Sequence, residues 1–161
     1  DTLAEDEATV KANWEQIKLK EKGNTSVLGG VPRSLPAMVK AMRIQEKASG
    51  VGFDWENGNQ VWDKVEEEIK EFKAETQVET VNSQRKNEEF GDVLFSLINY
   101  ARFQDINPEE ALERTNKKFI KRFQYLEIAS KREGKSLAEM TLSEMDIYWE
   151  EAKKNEKIRR F

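Results

Sequence analysis

Apolar residues return at intervals of three and four along nearly the whole chain, and no stretch shows the strict alternation of a half-buried strand. The spacing predicts a first helix over about residues 4–22, with Val10, Trp14 and Ile17 on one stripe and a Thr2/Glu5 capping box at its start. Gly23 to Pro32 holds three glycines and a proline and reads as a connector. A second helix opens around Ser34, tolerates Pro36 in its first turn and runs to about Ser49, burying Leu35, Met38, Val39 and Met42. The turn-rich stretch GVGFDWENGN carries two aromatics that need a place to pack. A third helix follows from about Gln60 to Gln77 with core positions Trp62, Val65, Ile69 and Phe72. After a polar break at residues 78–84, a fourth helix over about 85–104 carries the strongest stripe: Phe90, Val93, Leu94, Leu97, Ile98 and Ala101. Asn107-Pro108-Glu109-Glu110 is a helix start, with an N-cap, proline at the first helical position and an acid at the third. That fifth helix runs to about Arg132 with Leu112, Phe119, Phe123 and Leu126 inward, and Gly134 follows its end. Thr141 and Glu144 box the start of a last helix bearing Met145, Tyr148, Trp149 and Ala152, and the charged tail from Lys153 to Arg160 is expected to fray. The fold class expected is all-α, a compact bundle of about six helices.

Composition narrows the chemistry. In 161 residues there are 27 Lys plus Arg against 31 Asp plus Glu, a formal charge of −4, so no net positive field favours a nucleic-acid polymer or an anionic membrane as partner. Mean hydropathy is −0.83, and no apolar run approaches the ~18–20 residues of a membrane span. Without Cys, disulfides, thiolate nucleophiles and cysteine zinc sites are excluded; without His, Ser-His triads and imidazole ligands are excluded. A metal here must be held by oxygens, which favours Mg²⁺, Mn²⁺ or Ca²⁺. The lack of Cys and of a signal-peptide pattern fits a cytoplasmic protein. An opening Asp rather than Met suits a fragment of a longer chain.

Acidic pairs are the main chemical signal. Glu68 and Glu71 in the third helix, and Glu89 and Asp92 in the fourth, are each three residues apart and project from one helix face. Two antiparallel helices so equipped can converge four carboxylates, and a divalent cation is the natural neutraliser of such a cluster. The ordinary reading is a solvated helix face, since chance alone supplies roughly six such pairs in a chain this acidic. Each acid, however, directly precedes a residue of the expected core stripe, which puts it on the shoulder of that stripe. Gly91, inside the second pair, removes a side chain where a helix or ligand could approach. Lys118 and Arg122, four apart, can either snorkel over Phe119 and Phe123 or face the acids and bind phosphate. Trp149 reads as core on spacing alone. No phosphate-binding GxxxxGK[ST] and no GxGxxG occurs.

These residues resemble a known family. VPRSLPAMVKAMRIQEKASGVGFDW (31–55), KVEEEIKEF (64–72), EEFGDVLFSLINYAR (88–102), NPEEALERTNKKFIKRF (107–123) and LSEMDIYWEEAK (142–153) are similar to the C-terminal domain of the MazG nucleoside triphosphate pyrophosphohydrolases, members of the all-α NTP pyrophosphatase superfamily. The resemblance implies a domain over 31–161, preceded by a helix and connector over 1–30. It implies hydrolysis of nucleoside triphosphates to monophosphate and pyrophosphate by attack at the α-phosphorus. Mg²⁺ would be held by Glu68, Glu71, Glu89 and Asp92, and the nucleotide by Lys64, Arg85, Glu88, Lys118, Arg122 and Trp149, the last stacking on the base. It also implies a homodimer. With no His, Glu67 or Glu88 is the candidate proton acceptor. Two other readings stay open: a narrow house-cleaning enzyme for dUTP, dCTP or a damaged nucleotide, and a catalytically silent helical interaction module.

Overall fold

The computed structural model describes residues 2–21, 26–80 and 82–158. Among these the regular structure is entirely helical, as the periodicity predicts: α1 (Thr2–Glu21), α2 (Ala37–Gly50), α3 (Gly58–Thr76), α4 (Ser83–Phe103), α5 (Pro108–Arg132), a 3₁₀ turn (Leu137–Glu139) and α6 (Leu142–Ile158). The chain divides into two compact units, residues 1–109 and 110–161.

In the first unit α3 and α4 share the most extensive contact, α4 also meets α2, and α2 meets α1. Side-chain oxygens fix where the two central helices start. Asn57 accepts from the Gln60 N–H at 3.1 Å before α3, and Asn82 accepts from Gln84 N–H at 3.1 Å and Arg85 N–H at 3.2 Å before α4. The core of α3 is Val61 and Val65, both essentially sealed from solvent, and each contributes about 1.5–3 kcal/mol by burial. The next position on that face is Glu68, also buried, followed one turn later by Phe72. On α4 the buried residues are Val93, Ser96 and Ile98.

Several expected core positions are displaced. Trp62 lies off the buried face of α3, tilted against Tyr100 with ring centroids 4.9 Å apart and its indole N–H donating to Glu66 at 2.9 Å. Phe90, Leu94 and Leu97 of the expected α4 stripe are exposed in the single chain. The broad apolar arc of α4 offers two adjacent faces, and Val93 and Ser96 turn inward. Val10, Trp14 and Ile17 are likewise exposed, because α1 approaches α2 through Glu15, which pairs with Lys47 at 3.8 Å and lies against Gly50. Pro36 is the N-cap residue of α2, three residues of the expected helix being turn, and the best-buried side chain of α2 is Gln45. Phe53 remains 83% exposed rather than packed. Nothing lies within 4 Å of a Cβ built at Gly91, so that glycine marks open space among the described atoms and not the close approach of another helix. The Thr2/Glu5 box falls on side chains outside the described residues.

In the second unit α5 begins as the sequence predicts and ends at Gly134, whose φ of +71° suits glycine; the Lys135 N–H bonds back to the Ser130 carbonyl at 3.1 Å and satisfies the helix end. Its buried residues are Leu126, Ala129 and Ser130, joined by Met140 and Ala152. Leu112, Phe119 and Phe123, expected inward, are exposed there. Ser136 and Glu139 form a capping box that the pattern reading missed, and Thr141 caps α6 by accepting from the Glu144 N–H at 3.2 Å. The helix α6 persists through Ile158, so the charged tail stays helical to that point.

Candidate functional site

The acids converge because Glu68 continues the buried face of α3, seven residues after Val61 and three after Val65, while Glu89 and Asp92 flank the buried face of α4. Carboxylate oxygens of Glu68, Glu89 and Asp92 lie within 4.8 Å of one another, the only grouping of three or more such ligands among the described residues. Glu71 is outside that trio but is the strongest charged neighbour of Glu89. All four acids singled out by spacing therefore act on one region of the first unit. Glu68 does so from the buried seam itself, whereas Glu89, Asp92 and Glu71 stand on its shoulder.

Electrostatics at this point are unfavourable to the chain by itself. Desolvation, then the charges of Glu71, Asp92 and Glu68, lift the Glu89 carboxyl above the usual carboxylate range, with Arg85 opposing. Glu68 Oε1 is met by Lys64 Nζ at 2.7 Å, and that bond above all raises the Lys64 ammonium above its ordinary value. Lys64 also reaches Glu67 at 3.4 Å. The other oxygen of Glu68 and one oxygen of Glu89 are buried with no hydrogen-bond partner. Buried carboxylate oxygens are costly when unmet. An oxygen-only donor set with two orphaned buried lone-pair groups fits a hard divalent cation.

The remaining sequence-predicted residues fall as follows. Arg85 pairs with Glu75 at 3.5 Å, and Glu88 accepts from the Gln84 amide at 3.1 Å. The second unit carries Lys118, Arg122 and Trp149. There Arg122 is held by Glu156 at 2.9 Å and lies 5.9 Å from the Trp149 ring, which also meets Phe119 at 5.1 Å. Trp149 is thus a half-buried ring inside an aromatic and cationic cluster. The pattern reading missed Gln45 and the Asp54–Arg102 pair. Gln45 was reachable by continuing the α2 stripe from Met38 and Met42 to the next helical position.

Comparison with known proteins adds to this geometry. Residues 58–126 match the MazG nucleotide pyrophosphohydrolase domain, a span that includes all four acids. The chain is 43% identical over 142 residues to the nucleoside triphosphate pyrophosphohydrolase/pyrophosphatase MazG of Thermotoga maritima, covering 87% of this chain and 54% of that protein. It is 39% identical over 159 residues to the nucleoside triphosphate pyrophosphohydrolase of Escherichia coli K12, covering 97% of this chain and 60% of that one. It is also 50% identical over 159 residues to the uncharacterized protein YabN of Bacillus subtilis, of which it spans 32%. The chain therefore spans between about a third and three fifths of the length of these relatives.

Proposed function

We propose that this protein hydrolyses nucleoside triphosphates to nucleoside monophosphate and pyrophosphate, since residues 58–126 match the MazG nucleotide pyrophosphohydrolase domain. The observation that carries the reading is the carboxylate trio of Glu68, Glu89 and Asp92, with its two unpartnered buried oxygens. The relatives named as nucleoside triphosphate pyrophosphohydrolases support it.

Glu68, Glu89 and Asp92, with Glu71 beside them, would hold Mg²⁺. When bound, that cation supplies charge neutralisation for the triphosphate and an acidified water as nucleophile. Hydrolysis would form a bond from a water oxygen to the α-phosphorus, break the bond from that phosphorus to the bridging oxygen and release pyrophosphate. Lys64 orients Glu68 by the 2.7 Å contact. Of the two candidate proton acceptors, Glu67 is the better placed, because it shares Lys64 with Glu68, whereas Glu88 is engaged by Gln84. Arg85, Lys118 and Arg122 are the cations we assign to phosphate oxygens, and Trp149 is an aromatic platform for the nucleoside. Glu156 holds the Arg122 guanidinium in a fixed orientation.

The exposed apolar side chains of α4, Phe90, Leu94 and Leu97, support a homodimer as the working form. No helix of the described residues is long and apolar enough to cross a membrane. We place the activity in the cytoplasm, where its triphosphate substrates are made and used. The test is pyrophosphate release from a panel of NTPs and dNTPs with Mg²⁺ and with excess EDTA. Metal-dependent release supports the assignment, and no release from any nucleotide refutes it.

A further inference from the structure

Glu75 is a largely buried acid to which the mechanism above gives no role. It follows Glu68 by seven residues and Phe72 by three, on the face of α3 that meets α4, where Phe72 lies against Phe90 with ring centroids 5.3 Å apart. Its side chain is 12% exposed, and its Oε2 faces Arg85 Nε of α4 at 3.5 Å, across the turn between the two helices. The Arg85 side chain is 66% exposed, and an ion pair so open to solvent adds little to stability. What the contact does fix is where the charge of Arg85 stands.

That charge has another claimant on its own helix. Arg85 and Glu89 are four residues apart and so are neighbours on the surface of α4. Lys64 and Glu68 have the same spacing and the same order on α3, and there the ammonium closes onto the carboxylate at 2.7 Å. Among the described residues of α4 no such contact closes. Arg85 turns across to Glu75 instead, and Glu89 keeps an oxygen buried with no hydrogen-bond partner beside Glu68 and Asp92. Arg85 still stands near enough to oppose the desolvation and the neighbouring acids that raise the Glu89 carboxyl.

The arrangement keeps apart two functions that would otherwise cancel. A guanidinium closed onto Glu89 would neutralise a candidate metal ligand and would itself be occupied. Held through Nε, it leaves the terminal Nη1 and Nη2 groups, the end of the fork, for phosphate oxygens.

We propose that Glu75 is a positioning residue: by holding Arg85 at Nε it keeps the guanidinium off Glu89, leaving that carboxylate to the divalent cation and the Nη groups to the triphosphate. The inference rests on the metal and triphosphate reading above, and adds to it a residue that touches neither ligand.

The test is a double-mutant cycle read by calorimetric titration of the metal-free protein with Mg²⁺ and no nucleotide. In Glu75→Gln the released guanidinium turns onto Glu89, and Mg²⁺ affinity should fall about tenfold. In the Arg85→Gln background the same substitution should change the affinity by less than about twofold, because no guanidinium is left to turn. Glu75→Asp, which shortens the reach and keeps the charge, repeats the cycle with the same expected outcomes if the glutamine variant does not fold. Unchanged affinity in the single variant overturns the positioning role. So does an equal loss in both backgrounds, which is what removal of a distant negative charge produces by itself. Failure of the wild-type protein to bind Mg²⁺ overturns the metal reading and the inference with it.

Discussion

Lys64 Nζ sits 2.7 Å from Glu68 Oε1, one helical turn along α3, and this contact satisfies one oxygen of a carboxylate whose other oxygen is buried without a partner. The pair joins the buried helix seam to the chemistry, because Glu68 is at once a core-facing position and a metal-ligand candidate. Lys64→Met removes the contact and leaves both oxygens of Glu68 unmet. In EDTA the variant should be destabilised by about 1–2 kcal/mol, a charged hydrogen bond discounted for the partial exposure of the lysine. Urea titration checks this, and a midpoint equal to that of wild type would show that the pair is idle.

Asp92 contributes the opposite balance. It is exposed and adds negative charge to Glu89 without a counter-ion of its own in the trio. Asp92→Asn should therefore leave the metal-free fold as stable as wild type or slightly more so, while Mg²⁺ affinity falls at least about tenfold. Calorimetric titration with Mg²⁺ reads the second effect and thermal melting the first. A large loss of stability would mean that Asp92 has a structural role.

Activity should separate from fold at the same positions. Glu71→Gln and Asp92→Asn are each expected to reduce pyrophosphate release by about 100-fold or more, with far-ultraviolet circular dichroism unchanged. Turnover like wild type in either variant would remove that acid from the site.

The raised Glu89 carboxyl sets the sign of a pH dependence. A group that binds its proton more tightly when folded stabilises the fold below its unfolded pKa, and that contribution is lost as pH rises through the folded value. In EDTA, the Glu89 contribution should therefore decline as pH climbs from about 4.5 toward neutrality, and Mg²⁺ should restore stability at the upper end of that range. Glu89→Gln should flatten the decline. Asp54 runs the other way: partial burial works to raise its carboxyl, but hydrogen bonds from Arg102 and Ser49 and from the Trp55 N–H hold it low. Its contribution is present above the unfolded pKa and lost as pH falls through the folded one, so Asp54→Asn should lessen acid sensitivity. Melting curves across the range with single and double variants separate the two slopes.

Helix number, the Asn107-Pro108 start of α5 and its Gly134 end were legible in the chain, because capping and the 3.6-residue period are local. The four acids were legible as pairs at the right spacing. Which face of each helix turns inward was not. α4 carries apolar residues over a wide arc, and the choice of Val93 and Ser96 over Phe90 and Leu97 depends on packing against α3 and α2. The burial of Gln45 and of Glu68 stayed hidden for the same reason. Each continues an apolar stripe at the next helical position, but polar residues are not expected to be buried until a neighbour, a ligand or a metal is known to meet them.

The most direct measurement is product analysis of nucleoside triphosphate hydrolysis in heavy-oxygen water, with Mg²⁺ and with excess EDTA. Attack at the α-phosphorus by carboxylate-held Mg²⁺ chemistry predicts monophosphate and pyrophosphate in equal amounts, label only in the monophosphate, and no turnover in EDTA. Label in the pyrophosphate, release of single inorganic phosphate, or undiminished turnover in EDTA would contradict it.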